Sequence, residues 1–288
     1  MERPMIYIGL TMWSHNEWQQ SFYGKGTTNN ERLERYASVF NTVEGNTTFY
    51  ATPSPTTIRN WASATNDDFR FTFKLPKSIT HDKQLTLVKH DLLQFLNAME
   101  PVTDKVGLWT IQLPASFGPS DLGKLKQFCQ LFPDHFPLAV EVRHPLFFAK
   151  GPQEKTLNRW LSESNMDRVI MDSRPLFAAK PENAVIRDAQ QKKPKVPVHA
   201  IATHQSPMIR FIGQTDANAN QHYFQPWIRK ISDWVEQGKR PYIMIHTPDN
   251  ARAPELAVSL HQQLSQSLKL ESLAPFPALR HSSQISLF

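Results

Sequence analysis

Eight short apolar runs recur along this 288-residue chain at intervals of roughly 30 to 40 residues, and most stop on a polar or charged side chain. The runs are Met5 to Leu10, Thr42 into Glu44 and Asn46, Arg70 to Lys74, Val106 to Leu113, the stretch that opens at Leu138, Arg168 to Asp172, Met208 to Ile212, and Pro241 to His246. The fifth shows the grammar best. Leu138-Ala139-Val140-Glu141-Val142-Arg143-His144-Pro145 begins as a buried strand and ends in an acid, an arginine and a histidine, before a proline that cannot continue a ladder.

Stretches with helical spacing separate the runs. Asn30 is positioned to cap a helix through Leu33, Tyr36, Ala37 and Phe40, and further helices are expected over Pro55–Ala64, Lys89–Met99, Asp121–Phe132, Lys155–Glu163, Pro226–Gln237 and Pro254–Leu268. Strands that are parallel and covered by helices on one side and each other on the inside read as nearly continuous apolar runs. The alternation therefore predicts a TIM-like (β/α)₈ barrel, an α/β single domain over residues 1–288, with an irregular connection at 173–206 and a tail at 270–288. A doubly wound open sheet is the competing fold, but the first strand–helix turn offers only Gly9 and no glycine-rich phosphate fingerprint.

In such a barrel the C-terminal strand ends share one mouth, so Glu44, Asn46, Lys74, Gln112, Glu141, Arg143, Asp172, Arg210 and His246 are expected around a common pocket. Glu44 and Glu141 are the candidate acid/base pair, with His246 as a third catalytic group. Lys74, Arg143 and Arg210 suit an anionic phosphate or carboxylate, and Asn46, Gln112 and Asp172 complete the ligand-binding set. The bland alternative is that these charges only neutralise one another inside the barrel. Gly45, between Glu44 and Asn46, permits either an unusual backbone angle or a close approach.

Other chemistries have weaker signals. No cofactor is implied by motif. A divalent metal is the rival ligand for Glu44, Glu141, Asp172 and His246, although no His-Glu-x-x-His spacing is present and the interleaved cations oppose one. Glycoside hydrolysis would use Glu44 and Glu141 with Trp13 and Trp109 as sugar platforms. No Gly-x-Ser-x-Gly elbow occurs, and the single cysteine, Cys129, shares a helical face with Leu122 and Leu125, where a structural thiol is expected.

Charge and hydropathy bear on partners. The 32 Lys and Arg against 26 Asp and Glu give a formal +6, an excess that favours anionic partners, with nucleic acid as the alternative to a small molecule. The run Arg187-Asp188-Ala189-Gln190-Gln191-Lys192-Lys193-Pro194-Lys195 is the best nucleic-acid feature beyond net charge, set against a solvated loop. No segment of about 20 apolar residues is available to cross a bilayer, so no membrane partner is expected. With one cysteine, and an N-terminal apolar stretch too short for a secretory signal, a reducing cytoplasm is the expected location. The long polar and aromatic loop Thr11–Asn30 is expected to be functional.

Four stretches carry a family likeness. Val43-Glu44-Gly45-Asn46-Thr47-Thr48-Phe49-Tyr50, Phe73-Lys74-Leu75-Pro76-Lys77-Ser78-Ile79-Thr80-His81, Gln112-Leu113-Pro114-Ala115-Ser116-Phe117 and Val140-Glu141-Val142-Arg143-His144-Pro145 resemble, in this order, the YecE-like family of bacterial proteins, a family of unknown function. The resemblance runs from the first strand to the last helix and implies a TIM barrel without an activity. The likeness of that family to endonuclease IV-type barrels implies nucleic-acid binding or processing as the alternative function. Two positions depart from the common pattern: Arg210-Phe211-Ile212-Gly213 stands where many members have Arg-x-His-Gly, and His246-Thr247-Pro248-Asp249-Asn250 where they end the eighth strand in paired asparagines. In both the chain is similar to the enterobacterial YecE branch.

Overall fold

Side-chain alternation along eight parallel strands builds the molecule, whose computed structural model describes residues 6–280. The strands are β1 (Tyr7–Leu10), β2 (Thr42–Gly45), β3 (Arg70–Lys74), β4 (Val106–Gln112), β5 (Leu138–Glu141), β6 (Asp167–Asp172), β7 (Met208–Ile212) and β8 (Tyr242–His246). Each pairs with its sequence neighbours, and β8 pairs with β1, so the sheet closes into the expected barrel. Met5, expected at the start of the first strand, and the apolar terminus at 285–288 lie outside the described residues.

Odd and even positions serve two different cores. Ile8, Leu10, Val43, Phe71, Phe73, Trp109, Ile111, Val140, Ile170, Ile209, Phe211, Ile243 and Ile245 face outward into the layer beneath the helices. Tyr7, Leu108, Ala139, Val169, Met208, Tyr242 and Met244 face inward and fill the barrel's lower half. The outer layer is strongly aromatic: Phe71 stacks on Phe73 at 5.1 Å, and Trp109 meets Phe95 edge-on at 5.8 Å. Gly45 is explained by close approach, because a Cβ there would lie 2.4 Å from the Phe73 ring.

Several boundaries differ from expectation for local reasons. The second strand stops at Gly45, and Thr47–Tyr50 coils into one helical turn whose Thr48 hydroxyl donates to the Gly45 and Lys74 carbonyls. The first helix begins at Arg32 rather than at an Asn30 cap. In place of a cap, the Glu31 carboxylate accepts from the Thr28 backbone N–H and hydroxyl, bracing the entering chain. The helix expected to open at Pro226 begins five residues earlier, at Gln221. Phe224 sits on the same buried stripe as Trp227, Ile228, Ile231 and Trp234 and packs 5.1 Å from Phe211, which holds helical a turn that the proline alone would not favour.

The connection read as irregular is partly helical. Arg174–Ala178 and Ala184–Lys192 form two short helices, joined by Gln190 Nε2, which donates to the Leu176 and Ala179 carbonyls. Leu176 and Ala189 from these helices, with Val196 beyond them, cover Met171 and Ile212, the uppermost inward side chains of β6 and β7. The segment is therefore a cap over one side of the barrel mouth. In the loop after β1, Trp18, Phe22 and Tyr23 are buried, and Trp18 Nε1 donates to the Asn250 carbonyl. These three aromatic residues serve packing, whereas half of the loop is exposed and Thr11 at its start turns into the barrel mouth. No helix among the described residues is long and apolar enough to cross a membrane.

At the base of the barrel, Asp167 begins β6 facing inward, its Oδ1 accepting from the Ser206 N–H. Burial raises its pKa to about 7. Because this folded value exceeds the unfolded one, the associated stability is fully present below about pH 4 and is lost as pH rises through 7. Asp167→Asn should flatten that slope, so that urea denaturation finds the variant more stable than the parent at pH 8 relative to pH 5; parallel curves would show that Asp167 titrates normally.

Candidate functional site

Six of the nine expected side chains meet at the barrel mouth around one guanidinium. Arg210, inward on β7, lies with Nε 3.0 Å from Glu44 Oε1 and 3.1 Å from Oε2, and its Nη1 donates to Glu141 Oε2 at 3.0 Å. It thus bridges β2 and β5 across the lumen. Lys74 Nζ stands 3.3 Å from Glu44 Oε1. Glu141 Oε1 accepts from Gln112 Nε2 at 2.9 Å and from Arg143 Nε and Nη2 at 2.9 and 2.8 Å. Glu44, Lys74, Gln112, Glu141 and Arg210 are all buried, whereas the Arg143 side chain keeps 23 % of its surface exposed.

His246 closes the ring from β8. Its Nδ1 shares a hydrogen bond of 2.9 Å with the Thr11 hydroxyl, and its Nε2 is buried without a hydrogen-bond partner among the described residues. Asn46 reaches the same place indirectly, donating from Nδ2 to the Thr11 carbonyl at 2.8 Å. It holds the residue that holds the histidine. Thr11 escaped the sequence reading although the alternation of Tyr7, Gly9 and Thr11 along β1 turns it inward by the rule that located the others.

Asp172 is a correction. It is fully buried, but it accepts from Trp227 Nε1 at 2.7 Å and from Arg174 Nε and Nη2 at 2.9 and 2.7 Å. Met171 and Val169 take the inward positions of β6, so the period-two rule sends Arg168, Ile170 and Asp172 to the helix-facing side. Asp172 anchors the start of the cap and the helix Gln221–Glu236 rather than lining the mouth. The tryptophans offered as sugar platforms are also elsewhere: Trp109 is fully buried in the outer layer, and Trp13 packs edge-on against Trp61 at 5.1 Å.

Electrostatics revise the acid/base pair. Burial alone would raise the Glu44 carboxyl, but Arg210 and then Lys74 outweigh it and hold its pKa below the usual range. The same contest at Glu141, with Arg210 and Arg143 as the main opponents of burial, leaves it lowered more strongly. Both are ionised at neutral pH. Two carboxylates driven in the same direction cannot divide into acid and base, so the pairing expected from sequence is not what this geometry provides. Burial lowers Lys74, assisted by Arg210 and against the pull of the two carboxylates. Burial also takes His246 well below its ordinary value, with Lys193, Arg210 and Lys74 adding to the effect, and the imidazole is neutral.

Two further residues belong to the mouth. Lys193, half-buried at the end of the cap, is close enough for its charge to act on His246, and Arg210 and Lys74 act on it in turn. His81, in the loop after β3, lies within the field of Arg143, its ring 5.0 Å from Phe49. The basic run around Lys193 does not form a continuous phosphate grip: Lys192 pairs with Asp188 at 2.7 Å, and Lys195 lies 5.4 Å over the Phe177 ring. Among the described residues, no three His, Cys, Asp or Glu side chains converge as a metal site, and Arg210 is wedged between the two carboxylates proposed as ligands. Cys129 is buried and free, its thiol pushed up to about 12 by burial, as suits a structural residue.

Comparison with other proteins agrees with the YecE-like resemblance. A family model described as "Protein of unknown function DUF72" matches residues 7–280. The UPF0759 protein YecE of Escherichia coli (strain K12) is 47% identical over 281 residues, covering 98% of this chain and 100% of that protein. The UPF0759 protein YunF of Bacillus subtilis (strain 168) is 22% identical over 294 residues, covering 94% and 98% respectively. Crystal structures of DUF72 family proteins give the same fold. The Enterococcus faecalis V583 structure has a TM-score of 0.70 at 20% identity, covering 94% of this chain and 100% of that one; the Thermotoga maritima MSB8 structure has 0.69 at 22%, covering 91% and 99%.

Because Arg210 is held by both carboxylates, removing one charge leaves the guanidinium buried and half-compensated. Glu141→Gln should cost about 3 to 5 kcal/mol of stability in chemical denaturation. A loss below about 1 kcal/mol would show that the bridge is not what holds the two sides of the mouth together.

Proposed function

The chain belongs to the DUF72 family, whose description assigns no activity, and from the geometry of its barrel mouth we propose an enzyme that binds an anionic small molecule there, through a phosphate or carboxylate group. The observation that carries this reading is the unequal use of the cations. Glu44 and Glu141 occupy Arg210 from both sides, while Arg143 remains part-exposed and Lys193 makes no ion pair or hydrogen bond through its side chain among the described residues. The free donors point to a ligand with negative charge.

The proton-transfer group in this reading is His246. A neutral imidazole, fixed by Thr11 at Nδ1 and without a partner at Nε2 among the described residues, has one nitrogen left for a substrate. Glu44 and Glu141 serve as positioning residues, holding Arg210, Lys74 and Arg143 in place; Gln112 and Asn46 act one step further out. The free buried thiol fits a reducing, cytoplasmic setting. The nucleic-acid alternative draws less support, because Lys192 and Lys195 of the basic run are engaged by Asp188 and Phe177.

Thermal unfolding in the presence of a panel of phosphorylated and carboxylated metabolites tests the reading. A true ligand at a hundredfold excess over its Kd adds about 2.7 kcal/mol of stability, and Arg143→Ala should remove most of that gain. Turnover of the substrate so identified should fall roughly 100- to 10,000-fold in His246→Asn, with ligand-induced stabilisation retained. No stabilisation by any anionic compound, together with salt-sensitive retention of single-stranded oligonucleotides, would replace this reading with the nucleic-acid one.

A further inference from the structure

The cap introduces a charge that the strand ends lack. Its two helices are seated on the barrel by Leu176 and Ala189 against Met171 and Ile212, and the chain that leaves them is tied back by the Ser173 hydroxyl, which donates to the Pro194 carbonyl at 2.9 Å. Gln190 and the Lys195–Phe177 contact fix the same piece from either side. Lys193 is thereby held at the edge of the mouth by a built structure.

The inner ring is almost balanced without it. Arg210 and Lys74 face Glu44 and Glu141, and His246 is neutral. Arg143 adds one positive charge and Lys193 a second. Four cations against two carboxylates leave two charges uncompensated. Beside them lies His246 Nε2, buried and without a partner among the described residues, a position at which a ligand oxygen would satisfy it.

On the premise that the mouth binds an anion, we infer that the ligand's charged group is a doubly charged oxyanion, a phosphate monoester rather than a carboxylate, and that Lys193 sets this preference. A carboxylate would neutralise Arg143 and leave Lys193 repelled by Arg210 and Lys74. A dianion answers both uncompensated charges, that of Lys193 and the one Arg143 adds from its exposed side while its Nε and Nη2 stay on Glu141, and still offers an oxygen to His246. The groups that act on Lys193 are Arg210, Lys74, Glu44, Glu141 and His246; its neighbours Lys192 and Lys195 are turned to Asp188 and Phe177, and Arg174, at the start of the cap, to Asp172.

Burial, reinforced by Arg210 and Lys74, lowers Lys193 to about 8, so it is charged at neutral pH and loses its charge just above. Sulfate remains a dianion throughout that range, so its binding reports the protein's titration alone. In isothermal titration of the full chain at pH 7, sulfate and inorganic phosphate should bind at least tenfold more tightly than nitrate or acetate. Sulfate affinity should fall as pH rises through 8. Lys193→Met should weaken sulfate about tenfold, abolish that pH dependence and leave nitrate unchanged, and Lys193→Arg should restore sulfate binding while removing the transition near pH 8.

The inference fails if Lys193→Met binds sulfate as the parent does, or if monoanions and dianions bind alike. In either case nitrate or acetate binding that is lost in Arg143→Ala leaves the anion-binding reading intact. Failure of all four anions to bind overturns both.

Discussion

Everything at the mouth depends on Arg210 being shared. A guanidinium buried inside a closed sheet has little contact with water, and its burial is tolerable only because two carboxylates, delivered by strands on either side of the lumen, accept from it in geometries of 3.0 to 3.1 Å. The dependence runs both ways. Without Arg210 the carboxylates would be pushed towards protonation by burial; with it they stay charged and can in turn hold Lys74 and Arg143. The cluster is a set of mutual supports, and this is why its most buried acids serve poorly as proton donors and its least engaged groups lie at the rim.

The fold was legible because a parallel barrel repeats one simple signal eight times. Each apolar run carries its own signal, and the differences fall at edges: the helix that contains Pro226 starts at Gln221, the second strand stops at Gly45, and the first helix starts at Arg32 without an Asn30 cap. In each, packing overrode a local preference. The site was legible only as far as alternation was applied. Glu44, Lys74, Gln112, Glu141, Arg210 and His246 share the inward parity of their strands. Asp172 ends a strand, but its parity with Ile170 sends it outward, and Thr11 lies just past a strand end, but its parity with Gly9 brings it in.

Other features had no sequence signal at all. Proton affinities depend on which charges end up within a few ångströms, and Glu44 and Glu141 look identical in sequence to a separable acid/base pair. Lys193 sat in a polar run indistinguishable from a solvated loop. The seating of Leu176 and Ala189 on Met171 and Ile212 brings one residue of that run, Lys193, within electrostatic reach of His246. The enterobacterial likeness was carried by motifs at strand ends, and 47% identity to the Escherichia coli protein accords with it.

The pairing of the first strand with the last has a consequence for assembly. Tyr7 and Tyr242 are register partners on β1 and β8, their rings stacked 4.4 Å apart, and the Thr11–His246 hydrogen bond crosses the same seam a few residues higher, joining positions 235 apart in the chain. A contact between such distant segments carries a large loop-closure entropy and is disfavoured until the intervening units have condensed. The tyrosine stack works as a clasp on a ring whose last join also creates the histidine's orientation. A chain with seven strands in place and the clasp open would be nearly folded yet would leave His246 without its Thr11 partner, so the join that completes the sheet also fixes the imidazole.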